Sequence, residues 1–243
     1  MDKPPVVEIV AFTHEGRLRP SNEDSLTVVG WVSDVAMSAP RRSRHELGEP
    51  LLVAIADGMG GHAAGEVASR YAIKRLAETF TGGAAAVSDT LGTINAELYQ
   101  TMAADQSLLG MGTTVVGLLV TPRRVVWFNV GDSRLYQISD GKLAQLSIDD
   151  VPPGPRIGMI TQTLGGGPAF VPISPHIEVA ELSLPSRWLL CSDGLSDMLP
   201  DGEIERAMAA SDEDALRGLF TRAMEAGGLD NISIIVASVT AVA

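Results

Sequence analysis

Three β-branched runs, residues 114–120, 125–130 and 135–138, follow one another through the middle of the chain with only short links at 121–124 and 131–134. Links this short join antiparallel neighbours, because a parallel pair needs a crossover of a dozen residues or more. Runs 6–13 and 25–32, rich in Val and Ile, read as two strands that open the fold as a hairpin-like pair. Run 51–56 is continuously apolar and ends at Asp57-Gly58, as expected of a strand buried on both faces. Apolar residues at three- and four-residue spacing predict helices over 63–80 and 88–108, with Thr81-Gly82-Gly83 as the stop between them. Further strands are predicted at 187–192 and 232–239, and helices at 201–209 and 212–226, the latter capped by Ser211 with Asp214 three residues on. Strand runs with helices interpolated in pairs predict an α+β fold with antiparallel sheets rather than alternating parallel units.

With 243 residues, 45% of them hydrophobic, the chain can bury one sizeable core, and a single domain over 1–243 is expected. Eighteen Lys and Arg against 30 Asp and Glu give a net charge of -12, which repels a phosphate backbone and argues against nucleic acid as a partner. Cys191 is the one cysteine, inside an apolar run, so no internal disulfide forms. The start of the chain lacks the pattern of a secretory signal, and no stretch is long enough to span a membrane, so a cytoplasmic protein with no membrane partner is expected. The basic cluster at 40–45 reads as a solvated loop, and the proline-rich stretch 148–156 as a surface loop.

Five acidic motifs punctuate the strand runs: Arg19-x-x-Asn22-Glu23-Asp24, Asp57-Gly58-Met59-Gly60-Gly61, Gly131-Asp132-Ser133-Arg134, Ser192-Asp193-Gly194 and Asp230-Asn231. Any one Asp-Gly is an ordinary turn. Turn chemistry does not require an Asp at every strand end, whereas Mg or Mn takes oxygen ligands from a few carboxylates and waters. The histidines, His14, His45, His62 and His176, are too scattered for a soft-metal site. Arg19 offers a planar fork of donors suited to a phosphate dianion; a salt bridge with Glu23 or Asp24 is the alternative.

A rival pattern overlaps the second motif. Gly58-Met59-Gly60-Gly61-His62-Ala63 matches a dinucleotide fingerprint, with Glu78 about twenty residues on. A dinucleotide fold needs a parallel strand after its crossover helix, and here a second helix and tightly linked strands follow.

The ordered set, with Gly16 before the first motif, Gly110-Met111-Gly112-Thr113-Thr114, Leu164-Gly165 and Gly228-Leu229-Asp230-Asn231-Ile232, resembles the metal-dependent serine/threonine protein phosphatases of type 2C, the PPM family, in its bacterial form. The resemblance implies a four-layer αββα sandwich: two central antiparallel β-sheets flanked by pairs of helices, with two Mn2+ or Mg2+ ions at one end. It implies that Asp57 bridges both metals, the Gly58 carbonyl ligates one, Asp193 and Asp230 ligate the other, and Glu23 and Asp24 act through water. Asp132, with Asp193, matches residues of a third, weaker metal site, and Arg19 grips the substrate phosphate. The implied reaction is hydrolysis of phosphoserine and phosphothreonine by direct attack of a metal-bridging hydroxide. The implied partners are phosphoproteins and a cognate serine/threonine kinase, and family members are commonly monomers.

Three departures stand out. His14 replaces an Asp common in the family, and Met59 replaces the His proposed as a general acid in some members. Between 142 and 163, where relatives insert a helical flap, the short proline-rich stretch predicts a reduced flap and a more open cleft. An active phosphatase is thus expected, against a silent phosphoprotein-binding relative and a dinucleotide-binding oxidoreductase.

Overall fold

The computed structural model describes residues 3–60, 64–79, 84–154 and 159–242. In chain order its elements are β1 (Val6–His14), β2 (Ser25–Val28), β3 (Trp31–Ser33), β4 (Arg41–Glu46), β5 (Leu51–Ala56), β6 (Gly58–Met59), α1 (Ala64–Thr79) and α2 (Ala84–Ala104). There follow β7 (Gly112–Thr113), β8 (Val115–Val120), β9 (Arg124–Val130), β10 (Arg134–Ser139), β11 (Lys142–Gln145), β12 (Leu164–Gly165) and β13 (His176–Glu181). The chain closes with β14 (Ser186–Cys191), α3 (Asp193–Ser196), α4 (Asp201–Ala207), α5 (Asp212–Glu225) and β15 (Ile232–Thr240).

Two six-stranded sheets, β11-β10-β14-β15-β1-β4 and β13-β9-β8-β5-β2-β3, carry the fold, beside a small sheet β12-β7-β6. Every pairing between described strands is antiparallel, so the dinucleotide-binding fold has no parallel strand to rest on. Three apolar layers separate four layers of structure. Leu26, Val53, Ile55, Val116, Leu118, Trp188, Leu190 and Ile235 fill the space between the sheets. Leu76, Leu91, Ile94 and Leu98 of α1 and α2 pack on the outer face of the second sheet. Leu195, Ile204, Leu216 and Leu219 of α3–α5 pack on the first with Val10, Phe12 and Val236. β5 is buried along its whole length because both faces meet apolar layers. No helix among the described residues is long and apolar enough to cross a membrane.

Several expectations need correction. β1 and β2 are not a hairpin: β1 lies between β15 and β4, while β2 joins β3 and β5 in the other sheet. Run 25–32 itself breaks at Val29 (φ 49) and Gly30 (φ 82), where consecutive left-handed residues reverse the chain into β3. The link 131–134 does not join neighbours either, because β9 and β10 lie in different sheets. Gly131 (φ 100) makes that crossing with its α-carbon against Thr114, where a Cβ would sit 2.6 Å from the Thr114 methyl. The basic cluster is an edge strand, β4, rather than a loop. The second helix starts at Ala84, earlier than predicted, and ends at Ala104, before a separate 3-10 turn at Gln106–Leu108. The predicted stop at 81–83 and the ends of the first helix at Ala63 and Phe80 lie outside the described residues. Ser211 does cap α5, its hydroxyl accepting the Asp214 amide. Among the described residues of 148–163 no helix occurs, as a reduced flap requires; 155–158 lie outside that description.

Candidate active site

The registers place the acidic motifs at one end of the sandwich. In the first sheet, His14 pairs with Ile232 and Arg134 with Cys191, so the end of β1 and the starts of β15 and β10 lie beside the end of β14. In the second, Ser25 pairs with Ala56 and Val115 with Val130. Asp24 precedes β2, Asp57 follows β5, Asp132 sits in the crossing from β9 to β10, Asp193 opens α3 and Asp230 leads into β15.

Asp24 bridges the two sheets. Its Oδ2 accepts from Ser192 Oγ at 2.9 Å and from Ser233 Oγ at 2.7 Å, while its Oδ1 is buried without a hydrogen-bond partner. Asp57 is held through its backbone: its amide donates to Thr114 Oγ1 (3.1 Å), and its carbonyl accepts from Thr113 Oγ1 (2.8 Å) and the Thr114 amide (2.9 Å). Gly58 then runs so close to α1 that a Cβ would overlap the Gly65 carbonyl, which makes glycine obligatory at that point. Asp150 Oδ2 fixes the crossing that carries Asp132 by accepting from the Gly131 amide at 2.8 Å.

Burial and mutual repulsion perturb these acids. The Asp57 carboxyl is pushed well above the usual range by burial and then by the charges of Asp24, Asp193 and Asp230. Burial raises Asp24 to about 7 against the opposing hydroxyls of Ser233 and Ser192. Asp193 rises to about 8 through burial and then Asp132 and Asp230, and Asp132 to about 6 through burial. One buried oxygen each of Asp24, Asp132 and Asp193 has no hydrogen-bond donor. Like charges facing one another with orphaned oxygens are what divalent cations neutralise, so the residues present fit Mg or Mn. Among the described residues no group of three or more His, Cys, Asp or Glu side chains is placed to hold a metal ion by itself, so a backbone carbonyl and waters would have to complete the shell. An open set completed by a backbone carbonyl and waters is the arrangement these hard ions use.

A cleft of about 660 Å³ opens over the cluster, lined by Arg19, Glu23, Asp57, Gly58, Asp193 and Asp230 together with Met59, Ile160 and Asp197. Arg19 reaches neither Glu23 nor Asp24 for its salt bridge; its partner is Asp230, at 2.6 Å. Met59 does line the cleft, and His62 lies outside the described residues. His14 serves the backbone, its Nδ1 accepting from the Gly16 amide at 3.0 Å. The sequence reading gave no structural role to Ser192, Ser233, Thr13 and Thr114, a polar scaffold in which Ser233 Oγ is hydrogen-bonded to Thr13 Oγ1 at 2.7 Å, and it named no role for Asp197, the last residue of the Ser192-Asp193-Gly194-Leu195-Ser196-Asp197 motif, which lies on the cleft wall. Arg134, the last residue of the third motif, was likewise given no role; it is buried beside Asp132 and held by Asp149 at 2.7 Å. Ser192 and Thr114 fall within recognised motifs; Thr13 and Ser233 look like ordinary strand residues.

A family model described as protein phosphatase 2C matches residues 41–228. The serine/threonine phosphatase stp of Listeria monocytogenes is 30% identical over 92% of this chain and 92% of its own length. The serine/threonine protein phosphatase PstP of Mycobacterium tuberculosis is 34% identical over 77% of this chain, which spans 40% of PstP. The crystal structure of the PstP catalytic domain in complex with two manganese ions superposes with a TM-score of 0.79 at 31% identity, covering 97% of this chain and 99% of that one. The chain belongs to the protein phosphatase 2C family.

Proposed function

We propose that the protein is a metal-dependent phosphatase of phosphoserine and phosphothreonine proteins, acting as one catalytic unit and as a monomer. The observation that carries this reading is that Asp57, Asp193 and Asp230 line one cleft with Arg19, with Asp24 and Asp132 buried close by. Asp57, the Gly58 carbonyl, Asp193 and Asp230 would hold two Mn2+ or Mg2+ ions, with Asp132 contributing to a third, weaker site. Bound there, the ions supply a nucleophile at neutral pH and neutralise charge on the phosphoryl group.

The chain's own groups do the positioning. The Arg19 fork, 53% exposed at the cleft, binds the phosphate oxygens. Asp24 has one oxygen committed to Ser192 and Ser233, so only Oδ1 is left to act through water. Glu23 acts the same way; its amide is pinned to Asn231 Oδ1 at 2.7 Å and its carbonyl to Ser69 Oγ at 2.5 Å. Met59 carries no proton to give, so the leaving oxygen takes its proton from water or another residue. PstP and stp are named serine/threonine phosphatases, which supports the substrate class; a role opposite a serine/threonine kinase, in the cytoplasm, is part of the same proposal.

Phosphate release from p-nitrophenyl phosphate and a phosphothreonine peptide should require Mn or Mg and stop with EDTA. Asp57→Ala and Asp193→Ala should abolish it; full activity in either variant would sink the assignment. Metal binding by calorimetry without any turnover would favour a silent phosphoprotein-binding relative.

A further inference from the structure

We infer that Asn231 is a positioning residue that staples the phosphate-binding loop at 15–23 to the metal-binding end of the sandwich. The inference rests on the phosphatase reading for its consequence, though not for its geometry.

Asn231 is 4% exposed and spends its whole side chain on that loop. Its Nδ2 donates to the Glu15 carbonyl at 3.0 Å and to the Ser21 carbonyl at 2.9 Å, and its Oδ1 accepts from the Glu23 amide at 2.7 Å. The orientation of the amide follows from these partners. Turning it over would set an NH2 against the Glu23 N–H and an oxygen against two carbonyl oxygens. Glu15 and Ser21 are the two feet of the segment that presents Arg19, so one amide group closes the loop at its base.

The backbone on either side reinforces the staple. The Arg17 amide donates to the Gly228 carbonyl at 2.7 Å, and Gly16 (φ +76) is packed so tightly on the Asp230 carbonyl that no side chain fits. On the opposite flank, Gly194, next to Asp193, rests on the Asn231 carbonyl with no space for a Cβ. Asn231 therefore sits where three chain segments meet: the Arg19 loop, the start of α3 and the entry to β15. Without the staple, Arg19 keeps only an exposed contact with Asp230, and exposed pairs of that kind hold a long side chain weakly. The loop would then order only on binding phosphate, and the cost would appear as weaker substrate binding.

The test compares the wild-type protein with Asn231→Ala and Asn231→Asp. Asp keeps the acceptor for the Glu23 amide but sets a carboxylate oxygen against the carbonyls of Glu15 and Ser21. In hydrogen exchange without metal or substrate, the amides of 15–23 should exchange about tenfold faster in both variants, while those of β1 and β15 keep their protection. In kinetics on a phosphothreonine peptide at saturating Mn, KM should rise about tenfold with kcat within about threefold, and inhibition by inorganic phosphate should weaken in parallel. A merely structural role would lower the active fraction and leave KM unchanged, which overturns the inference, as does unchanged loop protection. Should one variant fail to fold, the other decides. If the wild type releases no phosphate, the phosphatase reading falls, while the exchange measurement still decides whether Asn231 staples the loop.

Discussion

Nη2 of Arg19 lies 2.6 Å from Oδ2 of Asp230, across 211 residues of sequence, and the other oxygen of Asp230 accepts the Asn231 amide at 2.8 Å. The proposed phosphate-binding cation and a proposed metal ligand are thus one ion pair. With 53% and 34% of the two side chains exposed, the pair contributes at most about 1 kcal/mol to stability, so its importance lies in the site. Arg19→Ala should raise KM for a phosphopeptide between about 10- and 100-fold, the range for a lost charged hydrogen bond to phosphate. Removing a cation from beside Asp230 should leave Mn2+ affinity by calorimetry undiminished. An unchanged KM with weakened Mn2+ binding would instead make Arg19 a support for the metal ligands.

Strand runs such as 51–56 were legible because burial on both faces leaves an unbroken apolar signal. β4 and β13 were not, since an edge strand with most side chains in water carries the composition of a loop: Arg41-Arg42-Ser43-Arg44-His45-Glu46 and His176-Ile177-Glu178-Val179-Ala180-Glu181. Sheet membership was also hidden. A link as short as 131–134 fits both a hairpin and a step between stacked sheets, and only the packing of Gly131 on Thr114 selects the second. In the site, the aspartates could be read because each stands just before or just after a strand. Partners such as Arg19 with Asp230, or Asp24 with Ser192 and Ser233, are fixed by three-dimensional register and leave no mark in spacing.

The buried acids give the metal-free protein an unusual pH response. Asp24 at about 7 and Asp193 at about 8 bind protons more tightly in the folded state than in an unfolded chain, where Asp titrates near 3.9. Their contribution is therefore fully present below about pH 4 and is lost as pH rises through 7 to 8. In EDTA, the melting temperature should fall between pH 5.5 and about 8.5, opposite to a protein stabilised by ionised carboxylates. Saturating Mn2+, which binds the deprotonated forms, should flatten or reverse that slope. A metal-free melting temperature that climbs over this window would show that the cluster is compensated by something other than protons.

Asp132 separates the third proposed site from the other two. Burial raises it to about 6, with Asp149 and Asp197 adding like charge and Arg134 opposing them. At pH 7 it is mostly ionised, so Asp132→Asn should raise the metal-free melting temperature by a few degrees, as expected for about 1 kcal/mol in a chain of this size. Calorimetric titration with Mn2+ should lose only the weakest binding event. Loss of the tight events as well would place Asp132 among the primary ligands.

Gly194 tests how tightly the site is assembled. A Cβ there would run into the Asn231 carbonyl, a backbone atom that cannot turn aside, so Gly194→Ala has to part α3 from the entry to β15. The expected loss is about 3 kcal/mol in denaturant unfolding, at the upper end of overpacking costs, with activity lost alongside it. Gly218 provides the internal contrast, because a Cβ at that position in α5 meets nothing within 4 Å. Gly218→Ala should stabilise by about 0.5–1 kcal/mol through helix propensity, leaving kcat and KM unchanged. Opposite signs for the same substitution would locate the constraint in the contact between Gly194 and Asn231; equal, small effects would mean that the two segments can separate without cost, and that Asn231 is not clamped from this side.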